Sequence, residues 1–440
     1  MNCENHAFAL YFNSTMKMNG RSAWHWILVG ISLVLQAGAA AQEAVISPPA
    51  GKLDAPVLRK AAPPTLSQPG EPADAFFSWG RLSLHPHLLG RAVYGMGLPA
   101  KDGRHVASMI YTMAPGLQLD LGQNWSADYT PTWTTYTAAA IEDTIDHSVR
   151  LSGAWEVQDW ALSVSENYRK SSPLLIETGA QTPQRTWATD LSATRPFGTV
   201  LNFQANASLN ERYGDSFPDT RDWATMNWLT VRFTPRLIAG LGIGAGYSDI
   251  VGEPDATFER YMSRLQWNPT EKLSMNLDAG VEARHSRAAG AEDQENPTYN
   301  AELLYRPFDV TQFSFGASSS VTNSYYQNQV TENTSWNFGL QQRLLEHFYL
   351  NAVYSHRDSE FSAVAPLTPV IIPTDPTAGP AVISLPGRSD QIKAFNVRLF
   401  TTLLKHWRIA ATYAYSENHS SQALFTFDST QFGLEISRRF

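Results

Sequence analysis

The stretch Lys272–Arg284 reads KLSMNLDAGVEAR. Every second residue is apolar: Leu273, Met275, Leu277, Ala279, Val281 and Ala283. Those between them, Ser274, Asn276, Asp278, Gly280, Glu282 and Arg284, are polar or bare. A β-strand sends successive side chains to opposite faces, so this spacing predicts a strand with one apolar and one polar face. Such a strand has two homes. Its apolar face packs on a second sheet in a soluble sandwich, or it faces lipid while the polar face lines a wet interior.

The rest of the chain decides between them. Leu117, Leu119 and Leu121 alternate with Gln118 and Asp120, and Leu201, Phe203, Ala205, Ala207 and Leu209 alternate with Asn202, Gln204, Asn206, Ser208 and Asn210. The same pattern returns at Leu229–Phe233, Trp336–Leu340 and Phe395–Leu399. From Arg81 onward nearly every segment has this one-sided face, and none supplies the counter-layer a sandwich needs. The connections alternate as well. Tight turns near 122–124, 157–159, 197–198, 235, 269–271, 307–309, 346 and 405 are separated by longer loops near 96–104, 138–144, 171–185, 214–221, 251–256, 287–296, 326–329, 360–388 and 418–427. The pattern predicts an all-β fold: a transmembrane up-and-down antiparallel β-barrel of about eighteen strands, with short periplasmic turns and longer extracellular loops. Closure pairs every backbone group, which lipid demands.

Two further signals agree. Trp125, Trp160, Phe233, Trp267, Phe308, Phe313, Phe348 and Trp407 each lie within a few residues of a tight turn, as an aromatic girdle at a membrane interface would. In the final QFGLEISRRF, the residues Phe432, Leu434, Ile436, Arg438 and Phe440 share a face. A last strand ending on an aromatic resembles the signal read by bacterial barrel-assembly machinery.

Composition sets the remaining bounds. Charged residues make up 17% of the 440 and aromatics 12%, against the ~25% charged of soluble domains. The net charge of -8 argues against a nucleic-acid partner. Cys3 is the single cysteine, so a disulfide framework and a cysteine metal site are excluded. Residues 16–42 have the layout of a signal peptide: Lys17 and Arg21, an apolar run from Trp24 to Leu35, then Ala39–Ala41. We expect cleavage after Ala41, making 1–41 the leader, with Met16 or Met18 as alternative starts; an uncleaved anchor is the competing reading. The proline-rich segment 42–77 is expected to be an unstructured periplasmic tail or a lumen plug, and 78–440 the barrel.

Several phrases resemble the β-barrel porin 2 family of Gram-negative outer-membrane proteins: LHPHLLGRAVYG (84–95), APGLQLDLGQNWSADYTPTWTTY (114–136), LIAGLGIGAGYSD (237–249), YMSRLQWNPTEKLSMNLDAGVEAR (261–284) and LLYRPFDVTQFSFGAS (303–318). The resemblance covers most of 80–440. It implies an outer-membrane barrel and an association with exopolysaccharide export. It names no substrate and carries no catalytic motif.

Candidate site residues follow from the alternation. The polar face includes Asp120, Asp128, Arg150, Glu156, Arg232, Arg264, Asp278, Glu282, Arg284, Glu302, Arg306, Arg343, Arg398, Arg408 and Glu435. These would line a lumen and set its selectivity, or pair with one another and brace the wall. Both signs occur, and no single-sign stripe emerges along the sequence. Gly240, Gly242, Gly244 and Gly246 form a bare inward stripe. It is either simple barrel curvature or a groove for an infolded loop or the tail. A dinucleotide fingerprint is excluded there, because the glycines alternate within one strand. His85 and His87 share a face, but no third metal ligand accompanies them. The apolar, proline-rich loop 360–388 is a candidate constriction. A phospholipase would need a serine gathered with His147, His356 or His406, and no motif does this. The expectation is therefore a channel without chemistry, cofactor or metal. It would give polar solutes passive or guided passage, with outer-membrane lipid and the barrel-assembly machinery as partners. The alternative is an exit pore or accessory barrel for an exopolysaccharide, plugged or non-conducting.

Overall fold

The computed structural model describes residues 76–100, 104–287, 293–326, 329–345, 347–363, 387–403 and 407–440. The leader 1–41, nearly all of the 42–77 tail, the middle of the 360–388 loop, His406 and the turn positions 346 and 405 lie outside the described residues.

The chain forms a closed antiparallel barrel of eighteen strands: β1 (Leu82–Pro99), β2 (His105–Leu121), β3 (Trp125–Tyr136), β4 (Thr144–Val157), β5 (Trp160–Ser171), β6 (Gln184–Phe197), β7 (Leu201–Gly214), β8 (Thr220–Thr234), β9 (Leu237–Ile250), β10 (Ala256–Thr270), β11 (Leu273–Ser286), β12 (Gln294–Phe308), β13 (Thr311–Asn323), β14 (Gln329–Leu344), β15 (Phe348–Ala363), β16 (Arg388–Leu403), β17 (Trp407–Ser420) and β18 (Phe427–Arg439). Each strand pairs with the next. β18 returns to β1 in continuous register from His87↔Arg439 to Met96↔Thr430, so no edge is left open. A three-residue strand, Phe77–Trp79, folds back on the start of β1. The connections alternate between a short-turn end and a long-loop end, as the sequence pattern predicts. Gly122 and Gly198 take φ of +66° and +67° at two of the short turns, a conformation a Cβ would disfavour.

Burial identifies the two faces. Leu241, Phe233 and Leu434 are 73%, 64% and 66% exposed, whereas Asn206, Ser208, Glu282 and Thr331 are buried to 1% or less. This inverts a water-soluble fold. The polar face is the inner, concave one, because its side chains meet over the strands that lie between them: the Arg264 Nη1 donates to Gln204 Oε1 at 3.2 Å, and Asn323 Nδ2 to Asp222 Oδ1 at 2.8 Å. β11 follows its sequence, with Leu273 through Ala283 outside and Asn276, Asp278, Glu282 and Arg284 inside, paired through Asp278↔Arg264 and Glu282↔Arg260.

The outer face carries two aromatic belts. Trp125, Trp160, Phe233, Trp267, Phe308, Phe348 and Trp407 lie near the short turns; Trp125 stacks on Trp155 at 5.6 Å, and Trp160 meets Phe203 edge-on at 6.3 Å. The second belt, toward the long loops, includes Trp187, Tyr168, Trp223, Tyr261 and Trp336, and the sequence reading did not single it out. Trp223 and Phe233 on β8 are ten positions apart. At ~3.3 Å per residue and a ~40° tilt, that separation spans ~25 Å along the barrel axis, the height of a hydrocarbon band. On β18, Phe432, Leu434 and Ile436 face outward, the Phe440 N–H donates to the Pro86 carbonyl at 2.8 Å, and the Arg438 guanidinium lies 4.0 Å from the Phe440 ring centre.

Candidate functional site: the inner wall

Alternation along each strand puts the residues read as inward on the inner face, where they fall into two unlike regions. On β8–β11 the wall is closed on itself. Trp228 reaches over β9, and a Cβ on Gly242 would lie 2.6 Å from its ring. Met226 and Phe258 likewise take the space above Gly242, Gly244 and Gly246. Side chains of the flanking strands thus cover the glycine stripe, so barrel curvature alone does not account for it. Arg264 stacks on Trp228 at 3.8 Å and grips Asp278 with two bonds of 2.8 Å. Deeper toward the long-loop end, Glu282 sits between Arg260, which donates its Nε at 2.7 Å, and Arg284, at 3.2 Å. Arg284 also donates to Asn323, which bridges to Asp222 and Ser248. All three charged side chains of the Arg260–Glu282–Arg284 group are more than nine-tenths buried. In this buried triad two guanidinium groups share one carboxylate, with Asp222 linked to Arg284 through Asn323, and the side chains brace the wall against one another.

The other region runs from β12 round to β18 and β1. Alternation places Arg306, Arg343, Arg357, Arg388, Arg398, Arg408, Arg439 and Arg91 on its inner face, against Glu302, Asp390 and Glu435. Arg398 bonds Glu435, which stands opposite Arg91 across the β1–β18 seam. Arg439 donates to Gln118 at 2.9 Å, and Arg306 to Gln312 at 2.8 Å. β13 and β14 add small polar residues, including the Ser318–Ser335 hydroxyl pair at 2.9 Å. From β2 to β11 the inner charges nearly balance: Arg150, Arg169, Arg212, Arg232, Arg260, Arg264 and Arg284 face Asp120, Asp128, Asp146, Glu156, Asp190, Asp222, Asp278 and Glu282. The sequence reading found mixed charge and no single-sign stripe. The structure contains an arginine-rich sector, which that reading missed because the sector runs across strands and not along one.

His85 and His87 face inward, each beside a carboxylate: Asp120 at 3.2 Å and Asp128 at 2.8 Å. Among the described residues no group of three His, Cys, Asp or Glu gathers as a metal site. His147 and His356 are on the outer face, against the Tyr129 hydroxyl at 3.0 Å and Asp358 at 3.0 Å.

The long-loop mouth is bridged by contacts the sequence did not reveal. Glu177, 4% exposed in the 172–183 loop, accepts from Ser324 Oγ at 2.6 Å and from the Tyr325 N–H at 2.7 Å. Arg212 donates to the Ser324 carbonyl at 2.9 Å and stacks on Tyr325 at 4.0 Å, and Phe217 meets the same ring at 4.8 Å. Arg388 is held between Phe361 and Phe425, at 4.0 and 3.9 Å, and reaches the Glu177 carbonyl at 3.0 Å. Four separate loops and the start of β16 therefore meet at one cluster. Phe361 and Arg388 are described ends of the 360–388 loop; the rest of that loop is outside the described residues.

No family model matches the chain, and no curated protein does. Solved structures of similar fold include OccK2 (OpdF) of Pseudomonas aeruginosa in complex with glucuronate, at 13% identity and a TM-score of 0.44 over 81% of this chain and 98% of that one. OpdK of the same organism with vanillate matches at 10% identity and 0.43, over 81% and 99%. OccAB2 of Acinetobacter baumannii matches at 11% and 0.44, over 81% and 98%.

Proposed function

We propose that the chain is an outer-membrane channel for small polar solutes and that it favours anions. The inner arginine sector carries this reading. Of the eight successive strands β12 to β18 and β1, all but β13 present an arginine to one side of the bore, in excess of the carboxylates there. A charged wall in a narrow, partly desolvated passage raises the local concentration of the opposite charge. The apolar outer face, with aromatic belts at both ends, supports the membrane location, and the short turns are read as the periplasmic side by the general pattern of such barrels. The loop cluster around Glu177 narrows the extracellular mouth and favours small solutes over polymers. Nothing in the described residues favours the exopolysaccharide alternative.

The test is reversal potential in a salt gradient across a planar bilayer holding the folded protein. Anion preference is the expected result. Cation preference would overturn the arginine assignment, and the absence of conductance from folded protein would overturn the channel itself.

A further inference from the structure

We propose that the outer-face row His147, Lys170 and Arg185, flanked by Arg221, binds the phosphate groups of a phosphorylated glycolipid in the surrounding outer leaflet. This rests on the membrane location proposed above.

The row is a product of register. His147 stands opposite Lys170, and Lys170 opposite Arg185, on three adjacent strands. Directly opposed residues hold their Cβ atoms ~5 Å apart, and like charges so placed destabilise a sheet. Lys170 and Arg185 are both exposed. One strand further round, Arg185 faces Tyr213 and its guanidinium lies 5.9 Å from that ring. Arg221 follows on β8, exposed and bonded to Glu211 at 2.5 Å. A carboxylate thus answers Arg221, while Lys170 and Arg185 confront each other. An external anion relieves that repulsion.

Depth and surroundings say which anion. The row lies at the long-loop end, just above the Tyr168–Trp187 edge-to-face pair at 5.3 Å. Aromatic belts mark the interface between hydrocarbon and headgroups, so the cations stand at headgroup level. The basic sector is local. Further round the same rim Glu332 faces Glu360, and Lys393 is neutralised by Glu417 at 2.9 Å. An anionic headgroup is thus drawn to β4–β8 in preference to the acidic Glu332–Glu360 stretch. Multiple phosphates on one lipid suit a row that spans several strands.

The full chain, extracted from outer membranes and re-lipidated, is compared by native mass spectrometry with bisphosphorylated lipid A and with its dephosphorylated counterpart. Preferential retention of the phosphorylated lipid is expected, falling about fivefold for each cation removed in Lys170→Gln and Arg185→Gln. Lys393→Gln should leave retention unchanged. Equal retention of both lipids by the unaltered protein, which needs no variant to fold, would overturn the proposal. Displacement of the lipid by an equal concentration of inorganic phosphate would overturn the headgroup assignment. A chain that inserts and conducts yet shows no phosphate preference leaves the channel standing and removes only this site; a chain absent from outer membranes removes both.

Discussion

The inner faces of β10–β11 and of β16–β18 carry similar residues to different ends. On β10–β11 each arginine has an acid or an aromatic face within reach: Arg260 and Arg284 share Glu282, and Arg264 lies between Trp228 and Asp278. On β16–β18 Arg398 bonds Glu435, which also faces Arg91 of β1, while Arg408 lies over the Phe400 ring and Arg439 reaches Gln118 beside Asp120, so guanidinium groups outnumber the acids near them. The first arrangement is a brace and the second a field. What matters is the local ratio of signs, which depends on which strands become neighbours.

The comparison breaks most visibly at Glu282. Glu282→Ala leaves two buried guanidinium groups without their acid and should cost about 3–5 kcal/mol, read as a lower urea midpoint for loss of the folded, heat-modifiable band. Refolded molecules should keep the reversal potential of the unaltered protein, because the triad is remote from the arginine sector. Gly242→Val forces a side chain into the Trp228 ring, 2.6 Å from the new Cβ, and should cost about 1–3 kcal/mol in the same assay. Asp278→Asn keeps the Trp228 stack and the bond to Gln204 but loses the charged grip on Arg264, a smaller loss of roughly 1–2 kcal/mol. The sharpest contrast is Arg343→Gln with Arg408→Gln. Arg343 is exposed and Arg408 lies 5.4 Å over the Phe400 ring, so stability should fall by about 1 kcal/mol while the reversal potential shifts toward zero. If this double variant unfolded the barrel or left selectivity unchanged, the distinction between brace and field would be lost.

Much of the fold was legible because a strand writes its two faces into the sequence at period two. The alternation from Leu273 to Arg284, the tight turns and the aromatics beside them are all local signals, and strand count and inward residues follow from them. The glycine stripe was legible as a stripe but not as a bed for Trp228 and Phe258, which come from the strands on either side. The arginine sector needs Arg91 beside Glu435, and the mouth cluster needs Glu177 beside Tyr325. Pairings of that range are set by closure and by loop packing, to which no short window is sensitive.

The seam where β18 meets β1 also bears on the order of events. Arg91 and Glu435 are joined only after nearly the whole barrel has been threaded, and long-range closure of this kind is the slow part of assembly. The balanced wall on β2–β11 can be complete while the bore is still an open trough. The charge sector straddles the seam, so its last member, Arg91 against Glu435, joins in the same step that seals the barrel. On the channel reading proposed above, full ion selectivity would be reached only when the ring has shut, and would report that step in real time.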